Sequence, residues 1–244
     1  MKKILLAFCV LLLISNTYAE WSKEKTIAFL RETELAVDPQ NVGKTIKDFR
    51  MDMDCTILKL NIKMLNSTIF KNPDKLRQTV EIPNMQKIDL YFNGDKGVKV
   101  DSLGGVTPLI GRMLDEVKLT AVMQNPAILW YTVFDKISIA DELEERDGKK
   151  YVAVTGSFKP EKKLNPIKCL IDPDTKLTTY VFLKNLSEIG EFESVTHYTQ
   201  FKKINGILIP VKFTQTMLNI QMEYTVKNFA VNQNIPDSIF EYKE

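Results

Sequence analysis

Phe49-Arg50-Met51-Asp52-Met53-Asp54-Cys55-Thr56-Ile57 alternates apolar side chains with charged or hydroxyl-bearing ones. A period of two sends successive side chains to opposite faces of an extended chain, so this stretch predicts a half-buried β-strand. The same period returns near the C-terminus. There Ile207, Ile209, Val211 and Phe213 oppose Leu208, Pro210, Lys212 and Thr214, and Leu218, Ile220, Met222, Tyr224 and Val226 oppose Asn219, Gln221, Glu223, Thr225 and Lys227. Turn signals punctuate the chain between these segments at Asn72-Pro73-Asp74, Pro83-Asn84, Asn93-Gly94-Asp95, Arg146-Asp147-Gly148 and Asp172-Pro173-Asp174. Two more fall from Ser187 to Gly190 and at Asn205-Gly206. They divide the chain into about ten or eleven strands, spaced as the hairpins of an antiparallel sheet.

Two regions break the pattern. Residues 21–36 predict a helix that Ser22 can cap, with Ile27, Leu30, Leu35 and Ala36 mostly on one side, and Asp38-Pro39 ends it. In the middle, Gly104-Gly105 gives the chain room to leave the sheet, and Thr107-Pro108 predicts a helix start with proline in the first turn. Leu109, Ile110, Met113, Leu114 and Val117 would form its apolar stripe, and residues 119–134 predict further helical segments, interrupted at Asn125-Pro126. No linker or shift in composition divides residues 20–244, which read as a single domain. A sheet with one continuous apolar face must cover it. A curved sheet with the two helical regions closing its mouth satisfies the pattern, and leaves open whether helices fill the interior or only lid it.

The N-terminus carries an address. Met1-Lys2-Lys3 is basic, Ile4 through Ile14 is apolar, and Ser15-Asn16-Thr17-Tyr18-Ala19 is a small, polar exit. This is the three-part pattern of a secretory signal peptide spanning residues 1–19, with cleavage expected before Glu20. The apolar run is far short of the roughly 20 residues a spanning helix needs. Cys9 lies inside the run rather than after the cut, so no lipid attachment point and no stable membrane insertion are expected. A periplasmic location follows as an expectation. Removal of Lys2 and Lys3 from the 33 basic residues leaves 31, against 31 acidic ones. A neutral protein has no electrostatic reason to bind nucleic acid, so a large ligand must be recognised by shape and apolar contact.

Catalytic and metal chemistry find little support. His197 is the one histidine, which excludes paired-histidine zinc sites, and its strand context favours a structural or surface role. No Gly-x-Ser-x-Gly elbow or phosphate-cradling glycine loop occurs, so no enzyme, metal or cofactor is expected. Asp52 with Asp54 and Glu142 with Glu144 could pair for acid–base work, but their alternation with apolar residues is that of a solvated sheet face. The charges from Glu142 to Lys150 read as a solvated hairpin tip, and Asn66-Ser67-Thr68 and Asn185-Leu186-Ser187 match the N-glycosylation pattern of eukaryotic secretion. Cys55 and Cys169 either form the one available disulfide or stand as buried thiols on separate strands. Met51, Met53, Met113, Met123, Trp130 and Phe134 furnish either an ordinary core or an adaptable apolar interior.

Four stretches carry a family likeness. Lys71-Asn72-Pro73-Asp74-Lys75-Leu76-Arg77 runs on to Val80-Glu81-Ile82-Pro83-Asn84-Met85, and Tyr91-Phe92-Asn93-Gly94-Asp95-Lys96-Gly97 forms an aromatic-led hairpin before the helical region. Tyr198-Thr199-Gln200-Phe201-Lys202-Lys203-Ile204-Asn205-Gly206-Ile207-Leu208-Ile209-Pro210 and the closing Val231-Asn232-Gln233-Asn234-Ile235-Pro236-Asp237-Ser238-Ile239-Phe240 complete the set. In order and spacing, from about Phe49 to Phe240, the chain resembles LolA/LolB-like outer-membrane lipoprotein-sorting proteins. The resemblance implies a mainly β (α+β) fold, an unclosed antiparallel β-barrel of about eleven strands with a helical lid around an apolar cavity. It also implies a carrier of lipid or lipoprotein acyl chains. Shuttles of that group gate the lid with an arginine, and the spacing aligns none of Arg50, Arg77 and Arg112 with it. On this reading Met51, Met53, Leu90, Phe92, Met113, Leu114, Trp130, Phe213 and Ile220 are the candidate acyl-chain-binding residues. The alternative is a non-catalytic cell-envelope module that shares only the fold and holds a protein partner.

Overall fold

The structure, a computed structural model, describes residues 21–162, 164–187 and 190–243. The signal-like segment 1–19 and the tip of the Ser187–Gly190 turn lie outside the described residues. Helix α1 (Lys23–Val37) opens the chain, with the Ser22 hydroxyl accepting a hydrogen bond from the Lys25 amide at 3.3 Å. A six-stranded meander follows: β1 (Asp48–Ile57), β2 (Ile62–Lys71), β3 (Lys75–Ile82), β4 (Gln86–Phe92), β5 (Gly97–Asp101) and β6 (Val106–Pro108). Helix α2 (Gly111–Gln124) and a 3-10 turn (Trp130–Val133) lead to β7 (Lys136–Ile139), β8 (Glu144–Arg146) and β9 (Lys149–Ser157). The chain ends with β10 (Ile167–Ile171), β11 (Thr178–Ser187), β12 (Gly190–Ile204), β13 (Ile207–Met217) and β14 (Ile220–Val231).

All pairings are antiparallel, in the order β6-β5-β4-β3-β2-β1-β14-β13-β12-β11-β10-β9-β7, with β8 paired to β9 off the path. The β1–β14 pair joins the two meanders, from Phe49 opposite Val231 to Ile57 opposite Met222. β6 and β7 end the order without pairing each other, so the barrel is unclosed, and the chain passes from one end of the order to the other through α2.

Alternation along the strands separates the two faces. On the inner face, Phe29 and Leu30 of α1 pack against Ile139, Val152, Val154, Ile167, Cys169 and Ile171, and so fill the β7–β11 side of the interior. Burying two such side chains contributes about 1.5–3 kcal/mol each. Ala121 of α2 covers Leu76 and Phe92 on the other side. Near β1, Phe70 is fully buried beside Phe49, with ring centroids 5.4 Å apart. The outer face has a smaller cluster of Tyr151, Leu170, Tyr180 and Phe182, over which the Arg146 guanidinium lies 4.9 Å from the Tyr180 ring centre.

Several expectations change. Among the described residues the sheet has fourteen strands rather than about eleven; β6 and β8 are three residues long, too short for alternation to show. Thr107-Pro108 does not start the central helix. These residues belong to β6, where Pro108 lies opposite Val98 on an end strand that tolerates its missing donor. The helix begins instead at Gly111, which leaves Ile110 69% and Met113 48% exposed rather than in an apolar stripe. Leu218 is not a strand residue: it forms the β13–β14 turn with Asn219, at φ 49° and 63°. Positive φ at both positions suits the strand twist, but the absence of glycine hid the turn. Cys55 and Cys169 are free, buried thiols on β1 and β10.

Phe70→Ala is expected to lower the unfolding free energy by about 3–5 kcal/mol, measured by urea denaturation.

Candidate functional site

The inner face between the two helix-covered regions is not filled. A cleft of ≈ 560 Å³ lies there, bordered by Met123 and Gln124 at the end of α2 and by Pro126. Strand register decides which side chains enter it. Met51 lies between Thr68 on β2 and Phe229 on β14, and Met53 lies opposite Asn66. Beyond the join, Tyr224 is opposite Phe213, and Phe213 is opposite Tyr198. All of these face the cleft, with Gln78 and Val80 from β3 and Thr196, Ile209 and Gln215 from the far wall. A shift in register between Asp52 and Met53 leaves Lys227 as an extra residue on β14, the kind of bulge that bends a sheet.

The wall combines rings with neutral polar groups. Phe213 stacks on Tyr224 at 4.8 Å and meets Tyr198 edge-on at 5.7 Å. Burial pushes the Tyr198 phenol up to about 12 and raises Tyr224 as well. Tyr224 donates to Gln215 Oε1 at 3.4 Å. The Asn66 Nδ2 is buried and has no hydrogen-bond partner among the described residues. Among the described residues, none that lines the cleft is charged.

The nine candidate residues scatter into five places. Met51, Met53 and Phe213 line the cleft. Leu90, Phe92 and Leu114 belong to the packing of α2 on β3 and β4, where Phe92 is wholly buried. Trp130 packs into the cluster around α1, with Phe134 edge-on at 6.1 Å, and borders a smaller cleft of ≈ 240 Å³ beside α1. Met113 is exposed on α2, and Ile220, 40% exposed, opens β14 beside the Leu218-Asn219 turn. The polar wall at Asn66, Gln78, Thr196, Tyr198 and Gln215 was missed. Its signal was available in β2, where Met64, Asn66, Thr68 and Phe70 share one face and only the middle two are polar.

The other singled-out residues lie elsewhere. Asp52 is on the outer face; burial pushes its carboxyl up, but hydrogen bonds from Ser67, Asn228 and Arg50 hold it below the ordinary carboxylate value. Glu144 pairs with Lys168 at 2.7 Å. His197 stacks on Tyr180 at 4.2 Å on the outer face, and burial lowers its pKa. Arg50 pairs with Asp52 and Arg77 with Asp89. Arg112 alone of the three arginines is on α2, 3.0 Å from Glu116 and 3.9 Å from Glu191 of β12. Among the described residues, no group of three or more His, Cys, Asp or Glu side chains is placed to hold a metal ion.

No protein-family model matches the sequence, and no curated protein does. Solved structures do match the fold. A DUF1329 family protein from Desulfovibrio piger superposes with a TM-score of 0.57 at 13% identity, over 88% of this chain and 97% of the other. A putative outer membrane lipoprotein-sorting protein domain from Vibrio parahaemolyticus gives 0.56 at 11%, over 89% and 96%. A LolA superfamily protein from Nitrosomonas europaea gives 0.56 at 12%, over 88% and 97%. The fold is therefore LolA-like: an unclosed, mainly antiparallel β-barrel with two helices against its inner face.

The raised Tyr198 pKa has a consequence in alkali. The phenol titrates higher in the folded protein than its ordinary value of 10, so the unfolded chain releases its proton first. The stability contribution is complete below about 10 and is lost as pH rises through about 12. Urea midpoints of Tyr198→Phe, compared at pH 9 and pH 11, are expected to fall less than those of the unsubstituted protein.

Proposed function

We propose that the protein is a carrier that holds a lipid or lipoprotein acyl chain in the β1–β14 cleft, of the outer-membrane lipoprotein-sorting type. The observation that carries this reading is the cleft itself. Two helices lie against the inner face, yet ≈ 560 Å³ remains open among Met51, Met53, Phe213 and Phe229, with no charge in its wall. Methionine side chains adapt to an irregular guest, and each buried chain methylene contributes about 0.8 kcal/mol, so affinity needs no ionic anchor. The lipoprotein-sorting domain with the same fold supports the reading by analogy of architecture, which by itself does not fix function. The signal-like segment 1–19 fits delivery to the periplasm by cleavage and release. No helix among the described residues is long and apolar enough to cross a membrane.

A second reading has its own observation. Leu60, Met85 and Leu103 stand 60%, 72% and 93% exposed at the β1–β2, β3–β4 and β5–β6 turns. In an antiparallel meander alternate turns share one end, so these three form an apolar rim suited to an envelope partner. On that reading the cleft is incidental and the rim is the working surface.

Native mass spectrometry of protein purified from the periplasm, followed by organic extraction, tests the choice. A bound mass that releases acyl-containing lipid supports the carrier. A bare mass with no uptake of added lipid leaves the rim reading ahead. Ile209→Trp, which places a larger side chain in the cleft, is expected to weaken binding of a hydrophobic dye by about tenfold while leaving the thermal midpoint within a few degrees.

A further inference from the structure

The wall of the cleft is chemically odd for a container of plain hydrocarbon. On one side of the β1–β14 join stand Asn66, Thr68 and Gln78, with Thr68 directly opposite Gln78 across the β2–β3 pair. On the other side stand Thr196, Tyr198 and Gln215, with Thr196 opposite Gln215 across β12–β13. Both groups line the same space.

Their hydrogen-bonding capacity is largely unspent. Asn66 Nδ2 is buried and unpartnered, and among the described residues Gln78, Tyr198 and the hydroxyls of Thr68 and Thr196 enter no side-chain hydrogen bond. Gln215 accepts one, the 3.4 Å bond from Tyr224. A buried polar group left unpaired costs stability, so a wall of this kind is compatible with a guest that brings donors or acceptors of its own. An alkane tail alone would bring no partner to Asn66 Nδ2, Gln78, Tyr198 or the two threonine hydroxyls. An ionised headgroup drawn inside would find no counter-charge, and burying an unpaired ion is far costlier than burying a neutral polar group.

Size narrows the guest further. An apolar cavity of about 150 Å³ accepts one benzene, roughly 25 Å³ per carbon. By that scale ≈ 560 Å³ holds on the order of 20 carbons, the bulk of one long chain and not of two.

Building on the carrier reading, we infer that the cargo is a neutral, single-chain amphiphile: one long hydrocarbon chain bearing an uncharged ester, amide or hydroxyl group that enters the cleft and hydrogen-bonds to the polar wall. Six neutral polar side chains on both sides of a space sized for one chain carry the inference. Selection against charged and two-chain lipids follows from the same geometry, because the wall offers neither an ion partner nor the volume.

The test is displacement of a bound hydrophobic dye by three probes at pH 8, monopalmitoylglycerol, palmitate and dipalmitoylphosphatidylcholine, with native mass spectrometry to count ligands per chain. Monopalmitoylglycerol is expected to bind one per chain, about tenfold or more tighter than palmitate, with the phospholipid weaker still. The double variant Asn66→Leu with Gln78→Leu is expected to lose the preference for monopalmitoylglycerol over palmitate. Palmitate or the phospholipid binding as tightly as monopalmitoylglycerol overturns the inference and leaves the carrier reading standing. Failure of the dye and all three lipids to bind overturns both. Because the ranking is measured on the unsubstituted protein, it decides the matter even if the double variant does not fold.

Discussion

The antiparallel pairing of β1 with β14 is the constraint on which the rest of the molecule depends. Every other sheet contact joins strands close along the chain, so each meander could form by local hairpins. Only this pair, with Phe49 opposite Val231 and Cys55 opposite Tyr224, merges them into one curved surface. It also centres the cleft. Met51 and Met53 on one side of the join and Tyr224 and Phe229 on the other are the floor from which the two polar walls rise. Pairing strands this far apart in sequence has an entropic cost of loop closure, offset here by the Phe49, Phe70 and Phe229 rings packed across it.

The helices divide the interior rather than fill it. α1 occupies the β7–β11 side and α2 the β3–β4 side, each through a few fully buried contacts such as Leu30 and Ala121. What separates a hollow interior from a filled one is therefore the spacing of two packing clusters, not the apolar content of the chain. The open space lies where neither helix reaches and where strand register happens to place Thr68, Gln78, Thr196 and Gln215 instead of aliphatic residues.

How much of this could be read beforehand depended on the length of each signal. Long strands with a clean period of two, such as Phe49–Ile57 and Ile207–Phe213, were legible because alternation over many residues has one structural meaning. β6 and β8 were not, since three residues carry no period. Pro108 misled because proline suits both a first helical turn and an end strand, and only the partner strand β5 decides between them. For the site, Met51, Met53 and Phe213 were recoverable from hydrophobic faces on neighbouring strands. Leu90, Phe92 and Leu114 share that pattern but are covered by a helix whose docking is a tertiary fact. Beyond β2, the polar wall has no separate signature in the sequence, because threonine and glutamine on a strand also suit a solvated sheet face.

A barrel left open also keeps two raw sheet borders that a sealed one would lack, and unpaired strand borders are templates for fibril growth between molecules. Here both borders are stunted. β6 has three residues and ends in Pro108, which has no amide hydrogen to offer an incoming strand, and β7 has four. Brevity and one imino acid thus leave an incoming strand little to pair with, and that imino acid sits in the same strand that mimicked a helix start in the sequence.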